Sequence, residues 1–234
     1  INLAHDLACQ GKRVLFLSLE MPKEKVLERM FCLDAGVNNI DLLTGKYNDD
    51  AMIQDKFADF MQKTSSWKLY ISDCIGRDWA WLDEQIFQKM TQKPDAVFID
   101  HIQEVRGGQS SKDSIDEYIS KMRECAIRNN FALIMCSQVN RISMSDKDGN
   151  KEPQLHHLKA SGYLEEAADQ VILLHWPYHY AKEDTTLDKE EYILNVAKNR
   201  DGMTGYIKMR YQPHYCRVRD WVTEQTPNLP NWTE

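Results

Sequence analysis

The sequence predicts an α/β domain: a mostly parallel sheet flanked by helices, closed towards the C-terminus by an antiparallel hairpin. Three observations point there. Short, almost uninterrupted apolar runs occur at Val14–Leu19, Ala96–Ile99 and Phe131–Cys136, the pattern of strands covered on both faces. Stretches with apolar residues at helical spacing lie between them, and strands alternating with helices call for parallel pairing. Later, two strand-like runs are joined by N-R-D-G at residues 199–202, a hairpin turn signal.

Taken in order, Ile1, Ala4, Leu7 and Ala8 recur at helix spacing until Gly11 stops the turn. The chain thus opens inside a helical pattern without an initiator methionine, and we read it as a fragment whose preceding segment is missing. Pro22 to Ala35 carries Val26, Leu27, Met30 and Phe31 on one side. A strand at Trp67–Ser72 precedes a helix over Trp79–Met90 with Leu82, Ile86 and Met90 inward. Ser114 to Arg128 places Ile115, Tyr118, Ile119, Met122 and Ala126 at spacings of three and four. Further strands are expected at Gln170–Trp176, Glu191–Val196, Tyr206–Tyr211 and Tyr215–Val218. Two long polar connections, Gln103–Lys112 and Val139–Gln154, interrupt the pattern, and loops of that length inside a domain commonly carry function. One domain over residues 1–222 is expected, with a loosely attached tail over 223–234.

Composition narrows the function. With 234 residues, 42% hydrophobic and 28% charged, the chain buries a sizeable core and is not wholly disordered. No apolar run approaches the roughly 18–20 residues that cross a bilayer. A formal charge of −7 argues against a protein coated with nucleic acid, while leaving room for one basic loop or channel. Six cysteines without a C-x-x-C pair sit mostly in apolar stretches, which favours reduced core thiols, Cys32, Cys125 and Cys136 among them, in a cytoplasmic protein.

The chemistry sits at strand ends. In parallel α/β sheets ligands bind beyond the carboxyl ends of the strands, so Glu20, Asp100 and Gln138 should converge on one crevice. Asp100 after a hydrophobic strand has the form of a Walker B carboxylate holding Mg²⁺; the same residue type also initiates turns. Glu20 could polarise an attacking water, or complement the dipole of the helix that Pro22 begins. Gln138 could sense a γ-phosphate or a nucleic-acid strand, or merely satisfy backbone groups. Alternation points Lys198 and Arg200 the same way, and an anion such as a phosphate from another subunit would hold them together; a solvated hairpin tip is the alternative. His175 and His179 have metal-ligand spacing only on a shared helix, and Pro177 between them argues against one.

Five segments, taken together and in order, resemble one family. They are S-L-E-M-P at 18–22, I-D-H-I-Q at 99–103, S-Q-V-N-R at 137–141, L-K-A-S-G-Y-L-E-E-A-A-D at 158–169 and V-A-K-N-R-D-G-M-T-G at 196–205. They resemble the C-terminal RecA-like motor domain of the DnaB-type replicative DNA helicases, from Ile1 to about Arg219. The resemblance implies a RecA-like P-loop NTPase core that uses ATP and Mg²⁺. Glu20 would orient the attacking water, Asp100 would serve Mg²⁺, and Gln138 would couple the γ-phosphate to DNA. Arg200, with Lys198 beside it, would reach a neighbouring subunit's site, which requires a head-to-tail ring. That ring is a homo-hexamer translocating on single-stranded DNA, with a primase and a helicase loader as partners and no membrane. Lys159, Ala160, Gly162 and Arg141 match DNA-contacting positions. A RecA/RadA- or KaiC-like ring ATPase and a non-catalytic assembly or DNA-binding remnant are the competing readings.

Lys159 stands where arginine is usual, Met203 where proline is usual, and Ala167 replaces a frequent acidic residue. The family's G-x-x-x-x-G-K-[ST] phosphate loop is not in the sequence and is expected just ahead of Ile1, on a strand internal to RecA-type sheets; without it two neighbouring strand edges are exposed. The chain by itself should therefore bind ATP poorly and hydrolyse almost none. A steady-state ATPase assay against a version extended upstream checks this, and equal robust turnover by both would refute it.

Overall fold

The structure, a computed structural model, describes residues 1–105, 111–139, 152–158 and 162–221. The first half is built from α1 (Asn2–Cys9), β1 (Val14–Ser18), α2 (Lys23–Ala35), α3 (Asn39–Leu43), α4 (Ala51–Thr64), β2 (Leu69–Asp73), α5 (Trp79–Met90), β3 (Ala96–Asp100), α6 (Ser111–Asn129) and β4 (Ala132–Met135). Its strands form a four-stranded sheet in the order β2-β1-β3-β4, every neighbour parallel. All five residues of β1 and four of the five in β3 are buried.

Alternation along these two central strands sorts their side chains between two cores. Leu15, Leu17, Val97 and Ile99 face Leu82 and Ile86 of α5 and Tyr118 and Met122 of α6. Val14, Phe16, Ala96 and Phe98 face Ala4 of α1, Val26, Met30 and Phe31 of α2, and Ile53 and Phe60 of α4. Two of the three predicted continuous apolar runs are thus strands buried on both faces, while the third, β4, is an edge strand and only partly buried. Helix α2 stops at Gly36, whose φ of 63° is left-handed, and Val37 N–H closes the turn on Cys32 O at 3.2 Å.

Helices α3 and α4 went unpredicted. Their signals are the caps: Asn38 accepts from Ile40 and Asp41 N–H, and Asp50 from Met52 and Ile53 N–H. Helix α4 also carries a stripe at helical spacing, Ile53, Phe57, Phe60 and Met61, of which Ile53 and Phe60 are buried and Phe57 and Met61 are half exposed. Cys136, expected among the core thiols, is exposed because it lies just past the end of β4.

The second half contains α7 (Gly162–Ala167), β5 (Gln170–His175), α8 (Pro177–Tyr180), β6 (Glu191–Asn199), β7 (Gly205–Gln212) and β8 (Arg217–Asp220). The anticipated hairpin is the middle of a larger unit. Strands β5-β6-β7-β8 form a four-stranded antiparallel sheet, and β6–β7 turn over the N-R-D-G segment. In the first sheet β4 is an edge, as β5 is in the second, and Ile172 and Leu174 of β5 are 48% and 55% exposed. The halves are tied at two places. Arg217 of β8 donates to Leu33 O at the end of α2, and Asn2 donates to Cys216 O at 2.9 Å and accepts from Val218 N–H at 3.0 Å. Ile102, Ile119 of α6 and Leu164 of α7 form a small cluster at the other.

Phe16 and Phe98 stack across β1 and β3 with ring centroids 5.9 Å apart, both in the core. Phe16→Ala should cost about 3–5 kcal/mol of stability, the usual range for emptying a packed aromatic site. Urea unfolding followed by circular dichroism reads this directly.

Candidate functional site at the strand ends

The register of the parallel sheet sets the site. Ser18 of β1 pairs with Asp73 of β2 on one side and Asp100 of β3 on the other. One residue further, Leu19 N–H donates to Asp100 O at 2.7 Å, so the chain leaves β1 still bonded to the end of β3. Ser18 Oγ donates to Met21 O at 2.6 Å and closes the turn that carries Glu20 outward, while Leu19 stays buried. The Glu20 side chain is 63% exposed.

Glu20 and Asp100 therefore stand at neighbouring strand ends, as predicted. At the start of α2 the Lys23 N–H donates to the Asp73 carboxylate, and Asp73 shares with Glu20 the place of an acidic group near that helix N-terminus. Asp100 lies beside Cys136; although that residue reaches solvent, the protein packed around its sulfur and the carboxylate's charge together push the thiol up to about 11.

Gln138 comes after β4 on the same rim and is exposed. Cys136 N–H donates to Ile99 O at 2.9 Å, and Ile102 N–H donates to Cys136 O at 3.1 Å, carrying the β3–β4 pairing past the strands. The Gln103 side chain then spans the gap. Its Oε1 accepts from Gln138 N–H at 3.1 Å and its Nε2 donates to Ser137 Oγ at 2.7 Å.

His101 is the residue that sequence reasoning left without a role. It is 4% exposed, with Nδ1 3.6 Å from Glu20 Oε2 and Nε2 3.8 Å from Glu104 Oε1. Neither ring nitrogen makes a hydrogen bond. A buried imidazole with a carboxylate on each side limits where Glu20 can go. The signal in sequence was only adjacency to Asp100.

Lys198 and Arg200 point the same way, as alternation predicted, but towards partners within the chain. Lys198 Nζ donates to Glu165 O at 2.5 Å and Glu166 O at 3.1 Å. Arg200 donates to Asp169 Oδ1 and to Glu166 O, both at 2.7 Å, and its N–H donates to Asp169 O at 2.9 Å. The free carbonyls at the C-terminus of α7 attract both cations, as helix ends do. A solvated tip is thus corrected: the two cations dock on α7. Gly162 is the first residue of α7, whereas Lys159, Ala160, Arg141 and the tail beyond 222 lie outside the described residues. His175 lies in β5 stacked on Tyr180, and His179 lies in α8 stacked on Trp176, so they share no helix.

Residues 1–220 match the DnaB-like helicase C terminal domain. The chain belongs to that family. It is 28% identical over 216 residues to a probable plasmid replicative DNA helicase of Chlamydia psittaci, covering 90% of this chain and 46% of the relative. It is 29% identical to the replicative DNA helicase DnaB of Mycobacterium leprae (92% and 35%) and 26% identical to the replicative DNA helicase DnaC of Bacillus subtilis (92% and 47%). The chain thus spans half or less of the length of these relatives. Its fold is shared with a DnaB-like replicative helicase solved in a study of its interactions with primase, at a TM-score of 0.83 and 22% identity, covering 94% of this chain and 53% of that one. A second solved structure, of an ATPase domain, aligns with a TM-score of 0.82 and 22% identity, covering 94% and 78%. Membership in the DnaB-like family accounts for the RecA-like arrangement of the parallel sheet and its flanking helices. No helix among the described residues is long and apolar enough to cross a membrane.

Proposed function

We propose that this chain is the motor domain of an ATP-driven replicative DNA helicase that works as a hexameric ring on single-stranded DNA. The observation that carries the proposal is the juxtaposition of Glu20 and Asp100 at paired strand ends in a chain of the DnaB-like family.

The donor set suits the chemistry. Asp100 offers hard carboxylate oxygens to Mg²⁺, which when bound withdraws charge from the β- and γ-phosphates of ATP. Glu20, largely in solvent, accepts a hydrogen bond from a water and orients it for attack. His101 acts on Glu20 as a positioning residue, since the buried ring stands against one carboxylate oxygen. Gln138 is held at the same rim through its backbone by Gln103, which leaves its own amide free to meet a phosphate.

Arg200 supplies charge to the site of the next subunit, with Lys198 beside it. In the isolated chain both cations are engaged by the end of α7 and Arg200 also by Asp169, so reaching a neighbour means exchanging Asp169 for a phosphate oxygen. Lys159, Ala160, Gly162 and Arg141 are assigned to the DNA strand by their match to the family's motifs. A primase partner is inferred from the solved DnaB-like helicase described with its primase, and a helicase loader from the family's biology.

In the full-length protein, Glu20→Gln should lower DNA-stimulated ATP turnover by about 10²–10⁴-fold while ATP still binds. Arg200→Ala should lower it by about 10³–10⁵-fold, the range for a finger acting in trans. Mixing the two variants should restore part of the turnover and part of the unwinding of a forked duplex, because mixed rings contain sites with an intact Glu20 facing an intact Arg200. Turnover unchanged by Arg200→Ala would remove the finger, and absence of unwinding by the unsubstituted protein would remove the helicase.

A further inference from the structure

A second constellation lies far from the catalytic rim. By connectivity it sits at the amino ends of the strands, where the last turns of α1, α2 and α4 meet. His5 and Cys9 are four apart on α1 and share one face, and Asp34 arrives from the last turn of α2. His5 Nε2 lies 3.1 Å from Asp34 Oδ1 and 3.7 Å from Cys9 Sγ, and the three ligand atoms all lie within 4.8 Å of one another. Among the described residues no other histidine, cysteine and carboxylate trio is so gathered.

We propose that His5, Cys9 and Asp34 form a binding site for a zinc-like divalent cation that clamps α1 to α2. Ligand atoms around a tetrahedral Zn²⁺, with bonds of about 2.0–2.3 Å, stand roughly 3.2–3.7 Å apart. The Asp34 oxygen stands near that spacing from His5 Nε2, while Cys9 Sγ, 3.7 Å from Nε2 and 3.9 Å from Nδ1, lies beside the ring and turns about its Cα–Cβ bond to meet an ion on the Nε2 lone pair. The donors are one imidazole nitrogen, one sulfur and one carboxylate oxygen, a set suited to Zn²⁺ and poorly suited to Mg²⁺ or Ca²⁺. The ring behind the site is already oriented. His5 is 8% exposed, its Nδ1 stands 3.1 Å from Asp6 Oδ1, and the edge of Trp67 packs against it at 5.2 Å between centroids. A carboxylate on the far nitrogen is the outer partner that metal-binding histidines usually have. Cys9 is exposed, so an ion has a path in, and a water can fill the fourth position.

Lys63 is the competitor. Its ammonium bridges to Asp34 Oδ1, the oxygen nearest His5, and lies 5.9 Å from the Trp67 ring centroid, with its side chain 48% exposed. Ion binding forms the metal–sulfur bond, releases the Cys9 proton to solvent and displaces Lys63 from that oxygen.

The test is a titration of the purified protein with Co²⁺ as the spectroscopic probe, followed by competition with Zn²⁺ and with excess Mg²⁺. The expected result is a thiolate-to-cobalt charge-transfer band saturating at one equivalent, abolished by Zn²⁺ and unaffected by Mg²⁺. Cys9→Ser, a change at an exposed position, should remove the band, and Asp6→Asn should weaken binding about 10–100-fold. Lys63→Met should tighten binding by removing the rival cation. No band, or a band that survives Cys9→Ser, overturns the site, and binding unchanged by Lys63→Met removes Asp34 from the ligand set.

Discussion

The pairing of β1 with β3 is the constraint on which the rest of the molecule depends. Both strands are buried on both faces, so a slip of one residue would send Phe16 and Phe98 to the wrong core and Leu17 and Ile99 to the other. Register is therefore held by packing on two sides at once. The turn beyond each strand inherits that precision: Leu19 N–H still donates to Asp100 O at 2.7 Å after β1 has ended. Glu20 and Asp100 are brought together by backbone pairing and core packing, and no contact between the two carboxylates is needed.

Polar residues just beyond the strands then extend the order of the sheet into the rim. Asp73 takes the N-terminus of α2, Ser18 closes the turn below Glu20, and Gln103 joins the ends of β3 and β4. Each satisfies backbone or hydroxyl groups that the ladder leaves unpaired where it stops. Glu20 and Gln138 are left facing solvent above this stitched layer. The division of labour is sensible for a site that must meet a charged ligand: fixed groups use up the backbone's needs, and the exposed ones keep their hydrogen-bonding capacity.

The antiparallel sheet obeys a different logic. Its strands are only partly buried, and it is anchored by long side chains reaching carbonyls, Arg217 to Leu33 and Lys198 and Arg200 to the end of α7. Such contacts are directional and partly solvated, so they locate the sheet with little apolar burial and can be exchanged for other anions more readily than a core contact can. The same physics places Arg200 on Asp169 within one chain and would let it serve a phosphate elsewhere.

Strand runs, helical stripes and the hairpin turn were legible in the sequence because each is a local consequence of alternation, 3.6-residue periodicity or turn chemistry. The convergence of Glu20, Asp100 and Gln138 was legible too, since parallel sheets gather their carboxyl ends on one side. Helix α4 was legible too, from Ile53, Phe57, Phe60 and Met61 at helical spacing behind the Asp50 cap, whereas α3, with five residues, is too short to show a stripe. The setting of His101 between two glutamates, the docking of Arg200 on Asp169 and the meeting of His5, Cys9 and Asp34 could be decided only by tertiary structure. Most of these are contacts between residues about thirty apart, set by how helices and sheets pack, and His101 needs the turn after β1 to reach it. Periodicity says which face of an element is apolar; it carries no record of which polar side chains will meet once those faces are buried.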